Sequence, residues 1–134
     1  MRIEPQKNVV LILARGFAEQ LATPMLIADA AGRLVFYNEP AEEILGRRFA
    51  EAGEMRAGDW SALFATEDSE GRSIDLAQMP AGIALLDRRP AHGAIRIRGL
   101  DGRLREISVT AFPLFARADE FVGVVAIFWE GEAA

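Results

Sequence analysis

The amino-acid sequence predicts an α+β domain: one antiparallel sheet of five strands, short helices on one of its faces, and an N-terminal helix. Three observations predict it. Residues 24–46 read as strand, tight turn, strand and short capped helix. Residues 94–114 alternate apolar and polar side chains at the period of a half-buried sheet, interrupted once by a turn. Residues 121–129 are apolar on both faces, as in a central strand covered twice.

The elements follow in order. Residues 8–22 carry Val9, Val10, Leu11, Ile12, Leu13, Phe17 and Leu21. Val10, Leu13, Phe17 and Leu21 fall at helical spacing, and Asn8 stands where an N-cap would. The first two turns are apolar nearly all round, so this helix must be covered on more than one side. Thr23-Pro24 ends it, because the residue before proline avoids helical geometry. Met25 to Ala28 and Leu34 to Tyr37 then flank Asp29-Ala-Ala-Gly32, a hairpin signal in which glycine supplies a positive φ. Asn38 caps a helix with Pro40 and acids in its first turn, and Gly46 stops it.

The stretch 47–59 is polar and broken by glycines. Trp60 to Phe64 reads as one helical turn capped by Asp59, and 66–73 as a solvated loop. Pro80 opens a helix running to Arg89, and Pro90 follows it. In the last third, Ile95 and Ile97 oppose Arg96 and Arg98, Gly99 to Gly102 is a turn, and Ile107, Val109 and Ala111 oppose Glu106, Ser108 and Thr110. The outer cover of the final strand is expected to be the N-terminal helix. The organisation expected is therefore a helix over 1–22, a domain over 23–130 and a tail over 131–134.

Composition narrows the function. The chain has 134 residues and a net charge of −5, and nucleic-acid binding ordinarily needs a basic face. It has no cysteine, which removes disulfides, thiolate metal sites and thiol nucleophiles. No apolar run reaches the roughly 18 residues that a membrane span needs. The apolar run from Val9 to Leu13 is too short for a signal peptide. A cytoplasmic protein is expected, with no nucleic-acid and no membrane partner.

The ordered set Asp29, Gly32, Asn38 and Gly46, with Met79-Pro80 and the run Gly-Arg-Leu-Arg-Glu-Ile-Ser-Val before the last strand, resembles a PAS domain over nearly all of 17–129. Pro40 departs from it, standing where many relatives have a small residue. The resemblance implies a sensory module that binds and relays and is not an enzyme. It implies a pocket lined by Phe36, Met79, Ile83, Ile95, Ile97, Ile107, Val109 and Ala111. That apolar lining suits either a small greasy ligand or a filled core, with Gly82, Ala84 and Ala111 leaving some volume. Few residues follow Trp129, so function is expected to pass through association with itself, with a separate signalling protein, or with a small ligand. A homodimer is expected through Val9, Val10, Leu11, Ile12, Leu13 and Phe17, completed by Phe112 and Trp129.

Other chemistry is weighed against plainer readings. His92, the only histidine, is a candidate haem ligand, but it follows Pro90 in what reads as a loop. The cysteine adduct of light-oxygen-voltage flavin domains is excluded by composition, and so is the thiol-linked chromophore of photoactive yellow protein. Non-covalent flavin stacking on Tyr37, Trp60 or Trp129 is the alternative to a core role, and no cofactor is expected. Glu42-Glu43 and Glu67-Asp68 read as solvated carboxylates rather than acid–base pairs. Arg96, Arg98, Arg103 and Arg105 are either an anion site or solubilising charge on the outer sheet face. Two other classes compete: a cone-shaped enzyme of the ketosteroid-isomerase kind, disfavoured because two strands precede the helices, and a ligand-free scaffolding dimer of profilin-like layout.

Overall fold

The doubly apolar segment at the end of the chain lies at the centre of the sheet. In the computed structural model, which describes residues 5–131, the elements run α1 (Pro5–Ala18), β1 (Met25–Asp29), β2 (Leu34–Tyr37), α2 (Glu39–Leu45), α3 (Phe49–Ala52), α4 (Ala57–Leu63), a 3-10 turn (Leu76–Gln78), α5 (Pro80–Asp87), β3 (Ala91–Arg98), β4 (Leu104–Arg117) and β5 (Glu120–Glu130). The strands make one antiparallel sheet in the order β2-β1-β5-β4-β3. β5 is buried from Phe121 to Ala126 because the sheet is covered on both sides.

The inner face packs under α2, α4 and α5. Its core includes Leu26, Tyr37, Leu45, Trp60, Phe64, Met79, Ile97, Ile107, Val109 and Phe128. Burying each large apolar side chain contributes about 1.5–3 kcal/mol. The outer face packs under α1, where Ala18, Met25, Ile27, Phe36 and Val125 form a smaller core with Leu11 and Ala14. Gly123 of β5 gives α1 its close seat: a Cβ there would run into Ala28 O and meet Leu11 Cδ2 at 3.2 Å.

The β1–β2 hairpin follows its sequence. Asp29 Oδ1 accepts from the backbone of Ala31 and Arg33, each at 3.0 Å, and Gly32 holds φ +84°. Asn38 is the N-cap of α2, accepting from Ala41 N at 3.2 Å, and Gly46 ends the helix at φ +82°. Asn38 does more than cap. The same Oδ1 accepts from Met25 N, and Nδ2 donates to Ala18 O and Thr23 O, all at 3.0 Å.

Several boundaries differ from the sequence reading. α1 starts at Pro5, so Asn8 lies inside the helix, and it ends at Ala18 rather than Ala22. There the chain tightens to i→i−3 bonds at Gln20 and Leu21, which turn it toward β1. Residues 1–4 of the expected 1–22 segment and 132–134 of the tail lie outside the described residues. The polar stretch contains α3, and α4 begins at Ala57, so Asp59 sits in its first turn instead of capping it. α5 ends at Asp87, and β3 begins at Ala91, which puts His92 on a strand rather than in a loop. Among the described residues no helix is long and apolar enough to cross a membrane.

Candidate functional site

Two surfaces can carry function, one on each face of the sheet. The inner one is an apolar cavity of about 40 Å³ between the sheet and the helices. Met79, Ile95, Ile97, Ile107 and Val109 line it, joined by Leu26, Leu45, Trp60, Phe64, Ala126 and Phe128. Thr66 also borders it, but its hydroxyl donates to Ile74 O at 3.3 Å. Trp60 is held by its indole, which donates to Gly32 O at 3.0 Å. A space of this size takes one or two water-sized groups. A larger ligand has to displace side chains.

Three of the residues expected at the pocket are elsewhere. Phe36 faces α1 on the outer side, where Arg15 sits 4.3 Å over its ring. The cause is a bulge: Ile27 pairs with Phe36 and Ala28 with Leu34, so Val35 is extra and the alternation shifts by one. Ala111 is buried in the inner core but does not border the cavity, and Ile83 is only half-buried. Gly82 leaves no volume, because the Leu76 carbonyl occupies the place of a side chain.

Trp60 and Phe64 escaped the sequence reading of the pocket, although a bulky aromatic pair at i and i+4 in a short helix is a legible signal. The aromatics weighed for flavin do not converge. Trp60 lines the cavity, Tyr37 packs edge-on to Phe49 at 5.3 Å, and Trp129 lies near His92 at 6.1 Å. His92 is exposed and does not line the cavity, so these side chains as placed fit neither a haem nor a stacked flavin. Tyr37 donates to Arg47 O at 2.8 Å, and burial first, then Glu42, pushes its hydroxyl up to about 12.

The arginine run divides. Arg96 pairs across strands with Glu106, and Arg98 donates to Gly102 O at 2.8 Å. Arg103 is exposed, whereas the Arg105 side chain is only 5% exposed and does not serve as solubilising charge. It holds both carboxylate oxygens of Asp101, at 3.2 and 2.9 Å, and donates to Ile44 O at 2.9 Å. Leu100 N donates to Leu45 O beside it. The β3–β4 turn thus closes the last carbonyls of α2. The hydrogen bond from Arg105 lowers Asp101 to about 2. Of the paired carboxylates, Glu42 accepts from Phe49 N at 2.9 Å, while Glu43 is exposed. Asp68 organises its own turn through Glu70 and Arg72. Among the described residues no acidic or histidine cluster could hold a metal.

The outer surface is α1. Leu11, Ala14 and Ala18 face the sheet, so Leu11 is not available to a partner, and Val10 is half-buried. The opposite side is apolar as well: Val9 is 49% exposed, Ile12 65%, Leu13 68% and Phe17 59%. Phe112, Leu114 and Ile127 of the adjoining strands are partly covered by the outer core, and Trp129 is half-buried. The expected interface residues therefore fall into an exposed row on α1 and a half-covered band on β4 and β5.

Comparison with known proteins agrees with this architecture. A PAS domain family model matches residues 14–77, from the last turn of α1 to the 3-10 turn. The PAS domain of a protein from Colwellia psychrerythraea superposes with a TM-score of 0.63 at 15% identity, over 90% of this chain and 96% of that one. The PAS domain of the fruit-fly ELK potassium channel gives 0.69 at 10% identity, over 90% and 95%. The Rhodobacter sphaeroides LOV protein gives 0.68 at 16% identity, over 95% and 68%. No curated protein matches the chain. The structural likeness shows the fold.

Proposed function

We propose that this chain, a PAS domain by its fold and by its match over residues 14–77, is a sensory module that works through association of α1. PAS domains are in general sensory and signalling modules. One observation carries the reading: the side of α1 opposite the sheet exposes Val9, Ile12, Leu13 and Phe17 together. A lone helix on a sheet ordinarily presents a polar face to water. An apolar face there is the mark of a second covering surface. A second copy of the chain is the partner proposed, and a separate signalling protein would compete for the same row. A cytoplasmic, non-enzymatic role goes with this reading.

Light scattering on the intact chain at tens of micromolar (~10⁻⁵ M, a weak-affinity regime) tests it. A dimer is expected, and Leu13→Asp is expected to give monomers. A monomeric parent at that concentration would mean that α1 is covered by another protein or by none.

A second reading has its own observation, the apolar cavity beneath Trp60 and Phe64. It favours a small apolar ligand, too small for a flavin or haem unless the core repacks. Native mass spectrometry of freshly purified protein checks this. A retained small molecule supports the ligand reading, and a chain of bare mass with unchanged tryptophan emission on adding small apolar compounds counts against it.

A further inference from the structure

We propose that the open part of the β3 edge, from His92 to Ala94, is a docking slot for an extended acidic segment of another protein, which adds to the sheet as a further strand. It is a different surface from α1 and stands apart from the α1 reading. β3 is an outer strand, with β4 on one side only. Its register with β4 is regular from Ala91 to Arg98, so alternate residues turn their backbone N–H and C=O groups to the free side. Arg96 shows which ones: its N–H and C=O both bond Glu67, at 2.8 Å each, and Arg98 N donates to Phe64 O at 2.8 Å. His92 and Ala94 have the same phase. Among the described residues, their N–H and C=O groups have no backbone partner on that side.

The chain itself shows the mode of pairing. Residues 64–67 run antiparallel along Arg98 and Arg96. They then leave the edge, because Asp68 accepts from the backbone of Glu70 and Arg72 and closes a turn. Beside Ala94 and His92 no strand continues them. Sheet edges are ordinarily blunted by charged side chains, proline or a bulge. Pro90 does so just ahead of β3, and Glu67 covers the other end. Between them Ala91, Gly93 and Ala94 are small, and α5 does not crowd the strand, since a Cβ on Gly93 would find Pro80 Cγ only at 3.5 Å. The slot therefore offers the N–H and C=O groups of His92 and Ala94 to an extended peptide of about four residues.

Charge selects the partner. Residues 88–98 contain Arg88, Arg89, Arg96 and Arg98 and no acid, in a chain of net charge −5. Asp87 lies 3.6 Å from Arg89, and Glu106 stands opposite Arg96. Arg88 and Arg98 have no carboxylate partner among the described residues: the first lies over the Phe121 ring and the second donates to Gly102 O. They flank the slot in sequence, one on each side, which favours an acidic strand over a basic one.

The probe is a peptide, fluorescein-Glu-Val-Glu-Val-Glu-Val amide, added to the full chain and read by polarisation. It is expected to bind, and the same peptide with lysine for glutamate is expected to bind about tenfold more weakly. Ala94→Pro removes one N–H of the slot and no bond to β4, because that N–H turns to the free side. It is expected to weaken binding by about tenfold or more while the thermal midpoint stays near that of the parent. Ala94→Thr keeps the N–H and is expected to bind like the parent. In hydrogen exchange of the free chain, the amides of His92 and Ala94 should exchange fast and those of Gly93 and Ile95 slowly, and the peptide should slow the first two. Slow exchange at His92 and Ala94 without peptide would show the slot to be covered already and overturns the proposal, whether or not Ala94→Pro folds. An Ala94→Pro chain that folds and binds as tightly as the parent overturns it as well, and so does an acidic peptide that fails to bind at about 1 mM. Tighter binding of the lysine peptide overturns the acidic partner. None of these outcomes bears on the α1 reading.

Discussion

The inner face of the sheet is covered by several short helices and a 3-10 turn, the outer face by α1 alone. Inside, the cover closes to a residual space of about 40 Å³, and Leu76 O sits where a side chain on Gly82 would be. Outside, α1 buries one side and leaves Ile12 and Leu13 about two-thirds exposed. The inner cover leaves only separate apolar side chains exposed, Leu63 on α4 and Leu86 on α5, whereas on the second face the exposed ones stand together along one side of α1. Substitutions inside should act on stability. Substitutions on the far side of α1 should act on association.

The largest expected effect is at the inner core. Phe128→Ala removes a ring that is 2% exposed and borders the cavity, and it should cost about 3–5 kcal/mol in chemical denaturation. A loss under about 1 kcal/mol would mean that the inner face is looser than its geometry. Next is Asn38→Ala, at the seam between the faces. It breaks four hydrogen bonds at the ends of α1, β1 and α2, two of which leave buried backbone N–H groups unpaired, so about 2–3 kcal/mol is expected rather than the roughly 1 kcal/mol of an ordinary cap. A loss no greater than that of a simple cap would show the four bonds to be replaceable by water.

A smaller, pH-dependent effect belongs to Asp101. Its folded value of about 2 lies below the ordinary 3.8, so its contribution is present above pH 3.8 and is lost as the pH falls toward 2. Arg105→Met should flatten that part of the stability–pH curve, and an unchanged acid limb would place the acid sensitivity elsewhere. Smallest for the fold is Leu13→Asp. It should shift the stability of the monomer by no more than about 0.5 kcal/mol. A large destabilisation in dilute solution would show that α1 is covered by its own domain and would erase the contrast between the faces.

What was legible in the sequence was mostly local. Asp29, Gly32, Asn38 and Gly46 announce their structures because each acts on backbone within a few residues. The central place of β5 was legible because only a doubly covered strand is apolar on both faces. The side of the sheet on which Phe36 lies was not, since a single extra residue at Val35 reverses the phase and leaves no mark in the composition. The orientation of α1 was hidden for a different reason: with both sides apolar, periodicity cannot tell the one that meets the sheet. Small residues decide it, Ala14 and Ala18 inward and Gly123 beneath Leu11. For the pocket, the strand residues were readable by alternation, whereas Trp60 and Phe64 belong to a short helical turn whose placement over the sheet comes only with the fold. Arg105 shares the alternation of Ile107, which points it inward, but its partners Asp101 and Ile44 come together only through the fold.

Asn38 gives the domain an unusual mechanical economy. Its amide holds the last turn of α1 on the outer face, and its carbonyl oxygen starts both β1 and α2. α2 ends at Leu45, on the wall of the inner cavity. The last turn of α1 and the first turn of α2 are therefore tied to one carboxamide. One side chain thus joins the cover of the outer face to a helix whose far end, seven residues on, forms part of the cavity wall.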